Sequence, residues 1–251
     1  MGKNVVFIAA GGRGTRLWKD YPELKESGLP KSLGVVINNR PLLAYQLESL
    51  VGLPSTVIVL TFNNQRSIRV FKNFIKTSQV PPYDYLYNLA PYSSSNAATI
   101  DVLKTSRPYK PWQDEFGFII ITSGDIYFDS RHLADMVDTW KKFKCSVITL
   151  SDFDKYMVSL KSHFHPVFSK SGWLKGILRS KKIPKTILSH PQFITEGAFR
   201  IYCSMPRGTS KSEFVSKAIR KGEKFRIQRP TVYTNVNFSQ DYINLLEYVG
   251  R

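Results

Sequence analysis

A glycine-rich stretch follows the first apolar run of this 251-residue chain. Residues 9–17 read AAGGRGTRL, and Pro30 and Lys31 follow downstream. Glycines let backbone N–H groups come close to a phosphate, and Arg13, Arg16 and Lys31 add cationic donors. The apolar run before the glycines is typical of a buried strand, and open α/β folds bind their ligands where such strands end. The pattern predicts a site for a phosphorylated ligand.

Neither common glycine-rich nucleotide motif fits this stretch. A Walker loop continues from its last glycine directly into Lys and then Ser or Thr, but here Gly14 is followed by Thr15 and then by Arg16 and Leu17. The dinucleotide fingerprint would use Gly12 and Gly14 and then needs a third glycine, where the chain has Leu17. The stretch therefore indicates a different class of phosphate-binding loop.

Residues 9–17 together with the Pro-Lys pair resemble the nucleotidyltransferases that make sugar nucleotides from a nucleoside triphosphate and a sugar 1-phosphate. That superfamily includes sugar-1-phosphate nucleotidylyltransferases, phosphocholine cytidylyltransferases and the guanylyltransferase of molybdenum-cofactor synthesis. Further motifs match in the same order, so the resemblance covers nearly the whole chain. The loop between Leu17 and Pro30 is a few residues longer than is usual in the family.

The resemblance implies a Mg²⁺-dependent active site. Ser123, Gly124 and Asp125 are similar to the family's Gly-Asp, whose carboxylate holds the ion, and Asn237 stands where many members carry a second metal-binding Asp. The implied catalytic residues are Arg16, Lys31 and Asp125, and the implied metal ligands are Asp125 and Asn237. The implied nucleotide and substrate contacts are Ala10, Gly11, Gly12, Arg13, Gly14, Thr15, Ser95, Asn96, Gly124, Lys181, Glu196 and Gly197.

Several of these matches have a structural alternative. Asn96 is also a plausible helix N-cap, and Asn237 could serve only to shape a turn. Lys181 and its neighbour Lys182 stand where the family often ends a strand in Glu-Lys, but the Glu is missing. Glu196 begins a stretch similar to the family's acceptor strand, where it would accept hydrogen bonds from a sugar hydroxyl.

The mechanism that the resemblance implies is an in-line displacement. A phosphate oxygen of the acceptor attacks the α-phosphorus of the triphosphate, and pyrophosphate leaves. Such chemistry depends on positioning and charge neutralisation more than on a protein nucleophile. Arg16 would stabilise the pyrophosphate, and Lys31 the α-phosphate and the acceptor phosphate.

Strand and helix patterns alternate along the first half of the chain. Apolar runs predict strands at 4–10, 56–62, 84–87, 116–122 and 146–150, and helical spacing predicts helices at 41–53, 64–77, 96–106 and 131–143. This alternation predicts βαβ units and a parallel sheet. With the resemblance, the expected fold is a Rossmann-like three-layer α/β/α architecture with a mostly parallel mixed sheet, as in nucleotide-diphospho-sugar transferases.

In the second half of the chain, the predicted strands no longer alternate regularly with helices. We predict short strands at 165–168, 173–178, 199–203 and 224–228 and helices at 210–221 and 239–249. Without a Pro- or Gly-rich linker between the halves, we expect one domain over 1–251. Residues 1–150 would bind the nucleotide and residues 151–251 the acceptor.

The charge of the chain is unusual: 36 Lys and Arg against 19 Asp and Glu give a formal net charge of +17. A field of that sign attracts anions of any kind. One alternative is therefore a non-catalytic, regulatory or scaffolding member of the fold that binds RNA or an acidic partner through its basic second half. Another is a glycosyltransferase, but such enzymes usually carry Asp-x-Asp where the chain has Gly124-Asp125-Ile126-Tyr127. Most aromatic residues between 155 and 229 fall in predicted core elements, so we expect no tight nucleic-acid complex.

The lengths of the apolar runs and the two cysteines indicate the cellular environment of the protein. The longest apolar runs are far shorter than the roughly 18 residues that a membrane helix needs. Two cysteines, Cys145 and Cys203, lie in apolar, strand-like runs and are expected to be buried free thiols in a reducing compartment. We therefore expect a cytoplasmic enzyme, with a nucleoside triphosphate and a phosphorylated small molecule as its partners, and possible homo-oligomers.

Overall fold

The computed structural model describes residues 3–12, 16–53, 56–78, 80–89, 116–152, 163–206, 208–237 and 239–249. The strands are β1 Lys3–Ala9, β2 Val36–Ile37, β3 Arg40–Pro41, β4 Thr56–Phe62, β5 Asp84–Leu89, β6 Phe116–Ser123, β7 Ile126–Phe128, β8 Ser146–Asp152, β9 His163–Phe168, β10 Leu174–Ser180, β11 Thr186–Ile194, β12 Phe225–Gln228 and β13 Tyr233–Asn235. The helices are α1 Pro22–Ser27, α2 Lys31–Gly34, α3 Leu42–Ser49, α4 Gln65–Thr77, α5 Ser130–Phe143, α6 Glu196–Ser204, α7 Lys211–Arg220 and α8 Ser239–Val249.

Seven strands form the central sheet in the order β12-β8-β11-β6-β1-β4-β5. The pairs of β1 with β4 and β6, of β4 with β5, and of β8 with β12 are parallel. Only β11 runs the other way, antiparallel to both β6 and β8. Strands from both halves of the sequence thus share one sheet, and the expected mostly parallel mixed sheet is confirmed.

The sheet is covered on both faces. Alternate residues of a strand point to opposite faces, so Val6 and Ile8 enter one core while Val5 and Phe7 enter the other. Helices α3, α4 and α5 cover the first core, and α6 and α7 cover the second. This is the three-layer α/β/α arrangement. No helix within the described residues is long and apolar enough to cross a membrane.

Most of the predicted elements are present, including the strand at 56–62 and the helix at 239–249 with the predicted bounds. The strand predicted at 199–203 is wrong, because these residues belong to helix α6. There the Thr195 side chain accepts a hydrogen bond from the Ala198 amide and caps the helix, and Phe199 and Tyr202 turn their side chains into the core. Cys203 therefore lies in a helix and is only partly buried, whereas Cys145 is buried, and the two cysteines form no disulfide. The helix predicted at 96–106 lies outside the described residues.

Strand β11 was not predicted, because Pro191 interrupts its apolar pattern. Proline has no N–H to donate and is confined in sheets to edges and irregular positions. The pairing of β11 with β8 shifts register between Ser189 and Gln192, so that Pro191 falls where the ladder is broken. The strand thereby accommodates a proline, which the regular part of a sheet excludes.

His132, on helix α5, is a neutral buried histidine. The Thr149 hydroxyl donates to the Pro191 carbonyl at 2.8 Å, so it must accept from His132 Nε2, also at 2.8 Å. No described residue partners His132 Nδ1, which would carry the second proton. Burial lowers the pKa of His132 to about 4, although Asp129 and Asp135 favour the charged form.

We predict that His132 makes the fold acid-sensitive. The unfolded histidine titrates near pH 6.5, so below that pH the unfolded chain takes up a proton that the folded chain refuses. Between pH 7 and pH 5 this linkage should reduce the free energy of unfolding by about 2 kcal/mol. The variant His132→Gln keeps the N–H donor and should lose correspondingly less stability in urea unfolding at the two pH values. His165→Gln, on the β9–β10 hairpin, controls for the loss of a histidine. An equal acid loss in wild type and His132→Gln would contradict the assignment.

Candidate active site

The carboxyl ends of β1 and β6 lie side by side and present the predicted loop residues. Ala9 pairs with Ser123 across these two strands. Beyond them the Gly124 amide donates to the Ala9 carbonyl at 2.8 Å, and the Lys31 amide donates to the Gly12 carbonyl at 3.0 Å. Three segments that are distant in sequence therefore meet at one edge of the sheet, which is the ligand edge of open α/β folds.

Gly124 is required by this close approach. A Cβ atom at its position would lie 2.9 Å from Ser32 Cβ and 3.0 Å from Ala10 Cα. The Ser32 hydroxyl donates to the Ala10 carbonyl at 2.7 Å, so neither neighbour is free to move away. The absence of a side chain at Gly124 lets the chain turn directly from β6 into Asp125.

The Lys31 side chain is the centre of the site. Its ammonium lies 2.7 Å from Asp125 Oδ2, 2.7 Å from the Val236 carbonyl oxygen and 3.0 Å from Asn237 Oδ1. The exposed fraction of the side chain is 6% for Lys31 and 21% for Asp125. An ammonium has three donors, so each one is engaged.

The charge of Asp125 is stabilised by its neighbours. Burial alone would raise its pKa, but the Lys31 charge, the Lys31 hydrogen bond and a hydrogen bond from the Ser123 hydroxyl together hold that pKa below its usual value. Asp125 is therefore a carboxylate at neutral pH. Buried carboxylates of this kind require both an opposite charge and hydrogen bonds.

Backbone contacts hold the two oxygen-bearing segments in place. The Gln46 amide nitrogen, from helix α3, donates to the Ser123 carbonyl at 2.6 Å and also to the Ile126 carbonyl. The Val236 amide donates to the Asp125 carbonyl at 2.9 Å. The Gln46 bonds hold the turn around Asp125, and the Val236 bond joins that turn to the segment after β13.

Asn237 is oriented by the last helix. The backbone amide of Asn237 donates to Asp241 Oδ2 at 2.9 Å, and Asp241 lies in the first turn of α8. Asp241 thus acts on the backbone of Asn237 and leaves the Asn237 side chain to Lys31. The helix predicted at this end of the chain is present as α8, directly after the short strand β13.

The atoms around the Lys31 ammonium suit a hard cation. A carboxylate, an amide oxygen and a backbone carbonyl converge there, and Mg²⁺ prefers oxygen ligands. The described residues contain no cluster of three or more His, Cys, Asp or Glu side chains that could hold a metal without further ligands. Mg²⁺ commonly binds through one or two carboxylates together with substrate phosphates and water, so the donor set fits that kind of site.

The structure brings seven predicted site residues together: Ala10, Gly11, Gly12, Lys31, Gly124, Asp125 and Asn237. A Cβ atom built on Gly12 would lie 4.0 Å from both Asp125 Oδ2 and Lys31 Cε, so the glycine loop directly adjoins the charged pair. Arg16 is exposed and lies immediately before a short 3-10 turn, Leu17–Lys19. Arg13, Gly14, Thr15, Ser95 and Asn96 lie outside the described residues.

Glu196 and Gly197 lie at the opposite edge of the sheet. They follow β11, whose last residue Ile194 pairs with Ile119 near the start of β6, while Asp125 follows the end of β6. Glu196 forms an exposed ion pair with Arg200 one helical turn away. The structure thus places Glu196 and Gly197 away from Asp125, on a helix instead of the predicted strand, and their contact with the substrate stays a prediction.

Lys181 is exposed on the connection between β10 and β11. None of the contacts among the described residues joins it to Asp125. Four residues near the site were not predicted: Gln46, which donates to the Ser123 and Ile126 carbonyls, and His190, Lys211 and Tyr233, whose pKa values the charge of Asp125 affects. None belongs to a recognisable motif, and each reaches the site only through the packing of its element, so the sequence alone carries no signal for them.

Comparison with known proteins supports the fold. No protein-family model matches the chain, and no curated protein sequence matches it. Among solved structures, a UDP-glucose pyrophosphorylase from Acinetobacter baumannii has a TM-score of 0.70 at 13% identity, covering 100% of this chain and 94% of that one. An inositol-1-phosphate CTP transferase from T. maritima has a TM-score of 0.68 at 14% identity, covering 100% and 98%. A CTP:phosphocholine cytidylyltransferase from Streptococcus pneumoniae has a TM-score of 0.62 at 16% identity, covering 99% and 100%.

At these identities the likeness shows the fold and not the substrate. The structures that the chain resembles include sugar-1-phosphate and phosphocholine nucleotidyltransferases, as the motifs predicted. The expected fold is confirmed over the full length of the chain.

The Lys31–Asp125 contact should behave as a buried ion pair. We predict that Lys31→Met and Asp125→Asn each lower the free energy of unfolding by about 3 kcal/mol, because each leaves the other charge without its partner. The double variant should lose clearly less than the sum, with a coupling energy of about 2 kcal/mol or more by urea unfolding. The exposed Glu196–Arg200 pair is the matched control and should give about 0.5 kcal/mol. A coupling for Lys31 and Asp125 no larger than that of the control would show that the two charges do not depend on each other.

Proposed function

We propose that this protein transfers a nucleotidyl group from a nucleoside triphosphate to a sugar 1-phosphate or a similar phosphorylated acceptor, with release of pyrophosphate. The observation that carries the proposal is the convergence of Lys31, Asp125 and Asn237 beside a glycine-rich loop at the carboxyl edge of a parallel sheet. The fold shared with nucleotidyltransferases supports it. The product would be a nucleotide-activated sugar or a related compound.

The backbone of the glycine loop would hold the triphosphate. Gly11 and Gly12 follow β1 after a single residue, Ala10, and Gly12 adjoins Asp125, so a phosphate at this loop would lie next to the charged pair. Arg16 would stabilise the charge that develops on the leaving pyrophosphate. In phosphoryl transfer, catalysis comes mainly from such positioning and charge stabilisation.

Lys31 would contact the α-phosphate, where the reaction takes place. Its three donors are all engaged by protein oxygens, so we infer that it exchanges one of them for a phosphate oxygen when the nucleotide binds. The attacking phosphate oxygen of the acceptor is already anionic at neutral pH. The reaction therefore needs no general base from the protein.

Asp125 and Asn237 would hold Mg²⁺, with the remaining ligands coming from phosphates and water. The ion would neutralise negative charge on the reacting phosphates. Asn237 contributes an amide oxygen that carries no net charge, so it would attract the ion less strongly than a second carboxylate. The hydrogen bond that the Asn237 backbone amide donates to Asp241 would keep that oxygen directed at the Lys31 ammonium, which Asp125 also contacts.

The test is a screen for pyrophosphate release. Each of ATP, CTP, GTP and UTP is combined with Mg²⁺ and a panel of phosphorylated acceptors, with dTTP as a fifth donor. We expect one donor and acceptor pair to give turnover. Arg16→Ala and Lys31→Ala should then each reduce the rate about 100-fold or more, because loss of one preorganised charge donor typically lowers rates 10²–10³-fold.

Arg200→Ala is the matched control for these variants, since it removes an arginine at the opposite edge of the sheet. Its rate should stay within twofold of wild type. Unchanged rates in both Arg16→Ala and Lys31→Ala, with the control also unchanged, would remove the assignment of these two residues.

A further prediction concerns Asn237. Because Asn237→Asp adds a carboxylate beside Asp125, it should lower the Mg²⁺ concentration that gives half-maximal activity, and Asn237→Ala should raise it severalfold. Asp125→Asn should abolish activity at every Mg²⁺ concentration. The measurement is a titration of activity with Mg²⁺ for the four proteins. If Asn237→Ala matches wild type at limiting Mg²⁺, Asn237 is not a metal ligand.

A further inference from the structure

Lys211 lies near the site, and the mechanism proposed above assigns it no role. It is the first residue of helix α7, and its ammonium reaches across to the Leu188 carbonyl of β11 at 3.3 Å. The ion pairs within the described residues do not include Lys211. Burial lowers its pKa to about 7, although the charge of Asp125 favours the protonated form. Among the described residues, the partly buried Lys211 ammonium donates to a carbonyl and pairs with no carboxylate, so it is a favourable place for an anion.

The surroundings of Lys211 connect it to Asp125. His190, which follows Leu188 and Ser189 on β11, donates from Nδ1 to the Ile121 carbonyl of β6 at 3.2 Å. Strand β6 ends two residues before Asp125. Burial, together with the Lys211 charge, lowers the pKa of His190 to about 3, so this histidine is neutral and adds no positive charge.

Tyr233 closes the same region from another element. Its hydroxyl forms a hydrogen bond with the Ser189 side chain, and burial raises the pKa of the tyrosine. Tyr233 is therefore also neutral. Lys211 thus supplies positive charge at a place where the neighbouring side chains His190 and Tyr233 supply none.

The order of the strands decides what Lys211 faces. Strand β6, which leads to Asp125, lies between β1 and β11. The glycine loop follows β1 and would hold the triphosphate on one side of Asp125, whereas Lys211 is held against β11 on the other side. An in-line displacement places the attacking group opposite the leaving group. The attacking phosphate must therefore come from the β11 side.

We propose that Lys211 binds the phosphoryl group of the acceptor and thereby selects acceptors that carry a phosphate monoester. This inference rests on the proposed function, because it takes its direction from the position of the triphosphate. Under this proposal, the cation that binds the acceptor phosphate comes from the first turn of α7. The sequence had suggested Lys181, on the connection between β10 and β11, for that role. Lys31 is then left to the α-phosphate and to Asp125.

The test follows individual lysines in the intact protein. With ¹³C-labelled lysine, the Hε–Cε signals of Lys211, Lys181 and Lys217 are identified by their loss in the corresponding Lys→Arg variants. Inorganic phosphate is then titrated at pH 7.0. We expect the Lys211 signal to move along a saturable curve, while those of Lys181 and of Lys217, on the same helix, move little and without saturation.

Kinetics with the acceptor found by the screen give the second readout. Lys211→Met should raise the KM for the acceptor about tenfold or more and leave the KM for the triphosphate within twofold. Lys211→Arg should recover most of the loss, and Lys217→Met, which removes a lysine from the same helix, should match wild type. Circular dichroism melting confirms that each variant is folded.

The outcomes separate this inference from the proposed function. A Lys211 signal that does not respond to phosphate, in a protein that binds a nucleoside triphosphate, overturns the assignment of Lys211 and leaves nucleotidyl transfer standing. A rise in acceptor KM in Lys181→Met, with none in Lys211→Met, assigns the acceptor cation to Lys181 instead. If no nucleoside triphosphate binds at all, the proposed function fails first, and the inference fails with it.

Discussion

The Lys31 ammonium joins parts of the chain that are far apart in sequence. Its partners Val236 and Asn237 lie 205 and 206 residues away, and Asp125 comes from the middle of the chain. A buried charge is tolerated only when it is paired and hydrogen-bonded, so neither Lys31 nor Asp125 can be buried alone. The folded arrangement of the loop after β1, the turn after β6 and the segment after β13 therefore depends on this one cluster.

The same cluster is where we propose that the reaction takes place. Three oxygen atoms of the kind that bind a divalent cation converge there, and the Lys31 ammonium supplies a positive charge for a phosphate. The parallel strands bring β1 and β6 to the same edge, and the missing side chain at Gly124 allows the close approach. With the glycine loop on the β1 side and Lys211 on the β11 side, Asp125 would lie between the two groups that react under our proposal.

The sequence predicted the position of a site residue where that residue follows closely after a strand with a clear apolar pattern. Asp125 directly follows a β-branched run, and the glycines follow an apolar run, so their meeting at one edge could be predicted from parallel-sheet geometry alone. Lys31 was found through its motif, and the structure shows its contact with Asp125. The order of the strands and the antiparallel direction of β11 were not predicted, because they depend on long-range pairing.

The errors have physical causes. The run 199–203 is apolar enough for a strand, and only the Thr195 cap and the burial of one helical face reveal the helix. The same error affects Glu196 and Gly197, which the structure places at the start of helix α6. Gln46 and Lys211 could not be found in advance, because their side chains reach the site from helices whose packing no local pattern specifies.

The reverse reaction tests the central claim most directly, since it needs no assumption about the acceptor's phosphate. Radiolabelled pyrophosphate and Mg²⁺ are incubated with the protein and a panel of nucleoside diphosphate sugars and CDP-choline, and labelled nucleoside triphosphate is measured. We expect label in one triphosphate with wild type and none with Asp125→Asn. Labelled triphosphate from no compound of the panel, or equal labelling by Asp125→Asn, would contradict nucleotidyl transfer at this site.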